Sequence, residues 1–212
     1  MVRGGWDGHR PVECTELFTG FLRSHGFELT VVDDLAVYED ATAMAGLDLI
    51  VQCWTGGRLT EAQESGLLAR VRAGTGFAGW HGGVVATFPD SNGYQYMMGG
   101  RFICHPGGFV DYDVKLTSAH SIVDGLADFS VRTEQYFCHV DPTLEVLATT
   151  TFTGEHGAPE TAGAVMPVVW LRRYGAGRVF VSTLGHAPAD LEVPQTRTIT
   201  ERGLLWAATR SP

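Results

Sequence analysis

Glycine-rich turns that carry polar side chains recur at four places in this chain of 212 residues, which contains 27 glycines and eight histidines. Each turn follows an apolar run with the pattern of a strand: 4–9 (GGWDGH), 55–57 (TGG), 79–83 (GWHGG) and 185–186 (GH). Imidazole titrates near neutral pH and binds transition metals. Glycine lets backbone N–H groups approach an anionic or carbonyl oxygen closely. The sequence therefore predicts proton transfer or metal binding where these turns meet.

Three histidines of these turns, His9, His81 and His186, are predicted to share one site. Ligands of doubly wound sheets bind outside the carboxyl ends of the strands, and each of the three follows a predicted strand. A single histidine in such a position is more often a hydrogen-bonded structural residue. Three of them at one sheet edge favour a functional interpretation.

The segment 79–83 has the form of a nucleophile elbow with His81 at its centre. The central residue of an elbow is strained and is expected to be exposed. Imidazole cannot do the thiol chemistry of an elbow cysteine, so we predict that His81 is a general acid or base, a metal ligand or a hydrogen-bond donor to substrate. The glycines expected to contact substrate through their backbone are Gly5, Gly57, Gly82 and Gly83.

The elements that must position these turns alternate between strand and helix in the first 100 residues. Strands are predicted at 1–3, 27–32, 47–54 and 76–80. A helix beginning at Pro11 and ending at Gly26 follows the first strand, and a capping box of Thr60 and Gln63 opens another helix before the last. Such alternation is typical of a parallel sheet with helices on both faces.

From about Gly99 the pattern changes to short strands with turns between them. They are predicted at 101–104, 112–116, 135–140 and 145–149, followed by a hairpin of 168–174 and 178–183 and a helix over 198–209. We therefore predict an α/β, flavodoxin-like fold with a mostly parallel sheet, helices on both faces and an antiparallel-rich insertion. All of it is expected in a single domain over residues 1–212.

The sequence argues against two classes of binding partner, nucleic acids and membranes. A net charge of −9 without a basic cluster argues against nucleic acid. The apolar runs are too short to span a membrane, and the first residues lack the core of a signal peptide, so we predict a cytoplasmic protein. The cysteines have no CxxC spacing and are predicted to be reduced and structural: Cys14, Cys53, Cys104 and Cys138.

Five strings in order along nearly the whole chain resemble the trehalose-utilisation ThuA-like family. They are GGWDGH (4–9), GFAGWHGG (76–83), GGRFICHP (99–106), EQYF (134–137) and VVWLRRYGAGRVFVSTLGH (168–186). The resemblance implies a fold similar to class I glutamine amidotransferases without the elbow cysteine, and hence without glutamine hydrolysis. It also implies a role in the use of trehalose and related sugars, with oxidised (keto) sugars as substrates. The positions that match the family's site are His9, His81, His105, Glu134 and His186.

Three functional hypotheses follow from these residues. The first is an enzyme acting on a sugar or keto-sugar, in which His81, His186, Glu134 and His9 transfer protons next to a carbonyl. The second is metal-assisted hydrolysis, with a divalent ion such as zinc bound by His9, His81, His105 and His186. The third is a sugar-binding or regulatory module without catalysis.

The remaining predictions concern the substrate and the assembly. His105 is expected to complete the pocket from the inserted region, and a homo-oligomer is compatible with the sequence. Tryptophans beside the glycine turns are candidates for stacking on a sugar ring: Trp6, Trp54 and Trp80.

Overall fold

The computed structural model describes residues 1–208, which form an eight-stranded mixed sheet with helices on both faces and a separate two-stranded sheet. The strands are β1 (Val2–Gly5), β2 (Leu49–Thr55), β3 (Gly76–Trp80), β4 (Gly100–Cys104), β5 (Phe109–Leu116), β6 (Phe129–Glu134), β7 (Phe137–Val140), β8 (Glu145–Thr151), β9 (Val165–Tyr174) and β10 (Gly177–Ser182). The helices are α1 (Pro11–Ser24), α2 (Ala41–Met44), α3 (Glu61–Arg72), α4 (Gly82–Val85), α5 (Asn92–Met98), α6 (Pro188–Leu191) and α7 (Pro194–Ala208).

The order of the large sheet, β1-β2-β3-β10-β9-β8-β5-β6, divides it into two halves. In the parallel half, β1, β2, β3 and β10 run in one direction. In the antiparallel half, β9, β8, β5 and β6 alternate in direction. The predicted flavodoxin-like fold is confirmed, and most of the antiparallel-rich insertion extends the same sheet, while β4 and β7 pair apart from it.

Alternating side chains on the strands produce two apolar cores. On one face, Ala78 and Phe180 pack with α1 and α7. On the other face, Phe77 and Val179 pack with α3 and α5. Neighbouring residues of a strand point to opposite faces, so a central strand covered by helices on both sides is apolar throughout, as β3 is.

The helix signals of the sequence are present in the structure. Pro11 is the first residue of α1, where its missing N–H costs no helical hydrogen bond. Thr60 and Gln63 form the predicted capping box at the start of α3. Within residues 1–208, no helix is both long and apolar enough to cross a membrane.

The antiparallel half ends in a hairpin that reaches the site. β5 pairs with β8 only through Lys115 and Leu116, whereas its residues from Phe109 to Val114 pair with β6. Four successive antiparallel pairings also return β6 to the direction of β10, so the carboxyl ends of both strands lie at one edge of the sheet. Glu134, the last residue of β6, therefore lies at the same edge as the glycine-rich turns.

Two of the predicted elements differ from the structure. Residues 27–32 do not form a strand: only Val32 pairs with β1, because that strand is four residues long and offers little edge to bind. The sequence analysis missed β6, whose alternation of buried and exposed residues is broken by two buried residues at its end. The last helix begins four residues earlier than predicted, at Pro194, and Thr209 lies outside the described residues.

Candidate active site

His81 is at the centre of a strained elbow between β3 and α4. Its φ of 50° and ψ of −145° are costly for a residue with a side chain. The conformation is held because its backbone N–H donates to the Ser182 carbonyl at 2.7 Å, while its own carbonyl accepts from Val84 and Val85. The predicted strain is present, but the predicted exposure is wrong: His81 is 1% exposed, since the hairpin of β5 and β6 covers the elbow.

The ring of His81 has one defined tautomer. Its Nδ1 lies 2.7 Å from the Thr183 carbonyl, and a carbonyl oxygen only accepts, so Nδ1 carries a proton. The Nε2 atom lies 2.7 Å from the Tyr136 hydroxyl and 3.0 Å from Glu134 Oε2. In the neutral ring, Nε2 is an acceptor that points into the site.

Glu134 is the carboxylate at the centre of the site. Its Oε2 lies 3.0 Å from His81 Nε2 and 3.2 Å from His186 Nδ1, and its Oε1 lies 3.6 Å from His105 Nε2. The neighbouring Thr133 donates to Asp190 of α6, which also accepts from the Ala187 N–H directly after His186. These bonds attach the end of β6 to the turn that carries His186.

His9 lies on the short 3₁₀ turn after β1 and completes the histidine group. Its ring is 4.7 Å from that of His81 and 5.0 Å from that of His186, measured between centroids. Its Nδ1 is 2.7 Å from Thr55 Oγ1 at the end of β2. A Cβ at Gly82 would lie 2.1 Å from His9 Cε1, so this glycine makes room for the ring rather than for a ligand.

Tyr136 is a site residue that the sequence analysis missed. It is buried, its hydroxyl bonds to His81, and its ring stacks on the His81 ring at 4.1 Å. The string EQYF contains it, but a tyrosine in an apolar segment is usually core packing. The signal that would have found it is its position two residues after Glu134.

Two exposed aromatic residues flank the histidine group. Trp6 is 57% exposed and its ring meets that of His9 at 4.8 Å. Phe109 is 50% exposed and its ring meets that of His186 at 4.8 Å. The predicted position of Trp6 beside the site is thus observed, while Phe109 did not appear in the sequence analysis.

Packing explains several other residues that were predicted to contact substrate. Trp80 is fully buried and packs on Phe18 in the core, so it is not available to stack on a sugar. A Cβ at Gly83 would meet the Cys53 backbone at 2.8 Å. Two further glycines pack in the same way, Gly5 against the Thr55 carbonyl and Gly57 against the Trp54 indole. Close packing therefore accounts for glycine at these three positions.

The pKa values of the site residues are shifted by burial and by their contacts with the carboxylate of Glu134. Burial opposes ionisation of Glu134, but the imidazoles of His186 and His81 outweigh it and hold the pKa of this carboxyl well below its usual range. Burial lowers the pKa of His81, and Glu134 and the Thr183 carbonyl offset this only in part. Burial, together with His81 and His186, lowers the pKa of His9 to about 3. The site therefore combines an ionised carboxylate with neutral imidazoles at His9 and His81.

Four possible ligand atoms, one each from His9, His81, Glu134 and His186, all lie within 4.8 Å of one another. His105 was predicted to belong to such a group, but it lies outside it, and its side chain is 38% exposed. Glu134 takes the position in the group that the sequence analysis gave to His105.

A separate cavity of about 740 Å³ lies at the opposite end of β1 and β2, lined by Met1, Leu22, Tyr38 and Leu49 among others. None of the histidines of the site lines it. The four free cysteines also lie apart from the site chemistry. Burial raises the pKa of Cys14 and of Cys138 to about 12, which makes these thiols unreactive.

Comparison with known proteins identifies the family. A comparison with curated proteins found no match. Among solved structures, the chain is similar to ThuA-like proteins of Parabacteroides merdae (19% identity, TM-score 0.77) and Bacteroides uniformis (18%, 0.75), covering in each case 98% of this chain and 88% of the other. A cytoplasmic protein of Salmonella typhimurium LT2 is 14% identical with a TM-score of 0.64 over the same shares. The family model for ThuA, described as trehalose utilisation, matches residues 1–207, and the chain therefore belongs to this family.

Proposed function

We propose that this protein is an enzyme that acts on a sugar or an oxidised (keto) sugar, such as a trehalose derivative, by proton transfer next to a carbonyl group. The observation that carries the proposal is the buried, ionised Glu134 in contact with the Nε2 atom of His81. The neighbouring imidazoles keep this carboxylate deprotonated, which is the state that a base needs in order to accept a proton from carbon.

The reaction needs two functions, and the site has groups for both. Glu134 accepts the proton from the carbon beside the carbonyl, and the electrons of the broken C–H bond form an enediolate. Negative charge then develops on the former carbonyl oxygen, and the Tyr136 hydroxyl beside His81 Nε2 is the donor that can stabilise it. Returning this proton to the former carbonyl carbon, while the proton of the neighbouring hydroxyl passes to the former carbonyl oxygen, gives isomerisation. Delivery of the proton from Glu134 to a departing β-substituent gives elimination.

The surroundings of the site support a sugar as substrate. Trp6 presents an exposed indole beside His9, and sugar rings bind to such faces through their C–H groups. Membership of a family described by trehalose utilisation points to the same class of substrate.

Exchange with heavy water tests the proposal directly. The protein is incubated with keto-disaccharides in D₂O, and deuterium at the carbon beside the carbonyl is followed by NMR. We expect exchange with wild type and with Glu145→Gln, which changes an exposed glutamate elsewhere in the antiparallel half, and at least about 100-fold slower exchange with Glu134→Gln. Equal exchange rates in wild type and Glu134→Gln would refute the assignment.

Metal-assisted hydrolysis of a sugar derivative is the second candidate function. The grouping of four ligand atoms within 4.8 Å favours it. The two candidates differ in product, because hydrolysis incorporates water oxygen into the product and isomerisation does not. Mass spectrometry after reaction in H₂¹⁸O separates them. If keto-disaccharides bind but remain unchanged after long incubation, the protein is a binding module instead.

The cytoplasmic location and a homo-oligomeric state stay predictions from the sequence, as does the absence of nucleic acid among the partners. The reference to the cytoplasm in the name of the Salmonella structure supports the first of these.

A further inference from the structure

We infer that His9, His81, His186 and Glu134 form a binding site for one divalent transition-metal ion, with zinc as the preferred ion. The inference depends on the proposed function only for the use of the ion, not for its binding.

The first argument is that acceptor atoms converge. His81 Nδ1 must donate to the Thr183 carbonyl, which leaves Nε2 as an acceptor that faces both Glu134 Oε2 and the Tyr136 hydroxyl. The Glu134 Oε2 atom is itself an acceptor, and it lies only 3.0 Å away. The single hydroxyl proton of Tyr136 can bond to only one of these two acceptors, so their repulsion is relieved when a second proton or a cation lies beside both.

The second argument is an unpaired buried nitrogen. His186 Nδ1 is buried and makes no hydrogen bond, although it lies 3.2 Å from the same Oε2 atom. A buried polar atom without a partner costs stability, so native proteins rarely contain one that has no purpose. The bond of His9 Nδ1 to Thr55 leaves the other ring nitrogen without an assigned partner. A shared cation satisfies these nitrogens together.

The third argument concerns the atoms behind the ligands. Metal-binding histidines almost always donate their other ring N–H to a carbonyl or another oxygen, which fixes the tautomer. The Thr183 carbonyl has this role for His81, and Thr55 Oγ1 is placed to accept from His9 Nδ1 in the same way. The two oxygens follow β10 and end β2, so the parallel half fixes both rings.

The donor set indicates the kind of metal. Imidazole nitrogen with one carboxylate suits zinc and related transition metals, whereas calcium and magnesium prefer oxygen ligands. When bound, such an ion polarises a carbonyl oxygen of a substrate. Glu134 Oε1 faces away from the group, toward His105 at 3.6 Å, and so remains available to accept a proton.

Metal content tests the inference without any substrate. The protein is purified without an affinity tag and analysed by inductively coupled plasma mass spectrometry, with one equivalent of zinc as the expected result. After removal of metal with a chelator, Zn²⁺ and Co²⁺ are added back, and Co²⁺ is followed by its visible absorption. Circular dichroism checks that the stripped protein is folded.

Variants distinguish the proposed metal ligands from residues that only lie next to them. His186→Asn is the preferred ligand variant, because this side chain is less buried than that of His81. It should weaken Zn²⁺ binding by at least about 100-fold, since loss of an outer partner alone costs about 10–100-fold. Thr55→Val, which removes such a partner, should fall in that smaller range, and His105→Asn should bind as wild type does.

Folded protein that binds neither Zn²⁺ nor Co²⁺ overturns the inference, and so does a His105→Asn variant that loses as much affinity as His186→Asn. In the first case a proton, rather than a metal, lies between His81 and Glu134. Metal binding without deuterium exchange on keto-disaccharides refutes the proposed function and leaves the metal site standing. Deuterium exchange catalysed by protein that binds neither Zn²⁺ nor Co²⁺ refutes the metal site and supports the proposed function.

Discussion

The parallel and antiparallel halves of the sheet contribute different chemistry to one site. The parallel half supplies the three imidazoles of the group, each on a turn directly after a strand. The antiparallel half supplies the carboxylate of Glu134 and the hydroxyl of Tyr136, on a hairpin end and the segment that follows it. A parallel sheet brings all its loops together at one edge, whereas in the antiparallel half only alternate strands end at that edge, and β6 is one of them. The halves therefore share the site but reach it by different rules.

The largest expected effect comes from replacing the two side chains that join the halves, His81 and Glu134. His81→Asn in the parallel half and Glu134→Gln in the antiparallel half should each slow turnover of a keto-sugar by about 100-fold or more. Residues that act as one unit are not additive, so the double variant should be little slower than the slower single variant. Steady-state rates of the four proteins give the answer.

His25→Ala is the matched control, because His25 lies at the end of α1, exposed and away from the site. It should keep the wild-type rate. Fully multiplicative losses in the double variant would show that the two halves act independently, which contradicts the idea of a single site.

A smaller effect is expected from Tyr136→Phe, which removes one hydroxyl of the antiparallel half and keeps the ring stacked on His81. Loss of one hydrogen bond of about 1.4 kcal/mol corresponds to a tenfold slower rate. The effect should appear in kcat rather than in KM. An unchanged kcat would leave Tyr136 with a packing role only.

The next effect is expected in the free energy of unfolding, when the ion pair that joins the small sheet to the antiparallel half is removed. Asp141 follows β7 and lies 2.8 Å from Arg172 of β9. Hydrogen bonds from Thr143 and Arg172 lower the pKa of Asp141 to about 2. Because the folded pKa lies below the unfolded value, the pair stabilises the protein above about pH 4, and this is lost as pH falls toward 2.

Asp141→Asn should therefore lower the free energy of unfolding by about 1 kcal/mol at pH 7, after allowance for solvent screening, and by less at pH 3. Urea denaturation at the two pH values measures the difference. Thr143→Ala, which removes only one partner of Asp141, should have a smaller effect. A loss for Asp141→Asn that is equal at both pH values would exclude the ionic explanation.

The smallest effect is expected for three thiols, one in β2 of the parallel half and two in the separate small sheet. Replacing Cys53, Cys104 and Cys138 by Ala should leave the rate unchanged, because none of them lies in the histidine group. Burial also raises the pKa of Cys53, which makes its thiolate scarce. A folded triple variant without turnover would show that a thiol takes part after all.

The division of the sheet into a parallel and an antiparallel half also explains which site residues could be predicted from the sequence. His9, His81 and His186 follow strands of the parallel half, where position after a strand implies position in space, and all three lie together in the structure. Glu134 was found only through a family resemblance. Its neighbours in space are 53 residues away in the chain at His81, and no local pattern encodes such a distance.

Each prediction that was wrong has an identifiable structural cause. His81 was expected to be exposed because an elbow viewed alone is open, and the cover comes from the distant hairpin of β5 and β6. Trp80 was expected to face the ligand, but the residues of a strand alternate, and its neighbour His81 takes the side of the site. Residues 27–32 have strand propensity, yet the edge of β1 is too short to pair with them.

The position of β10 in the sheet has a consequence for how the protein is made. This strand is the last to be synthesised, yet it lies between β3 and β9 and bonds to both. A nascent chain that ends before Gly177 leaves the apolar strands β3 and β9 each with an open edge, and such edges promote aggregation. Ser182 and Thr183, which bond the backbone and the ring of His81, also come late. The nascent protein therefore needs protection until β10 is inserted, and it acquires its elbow only at that step.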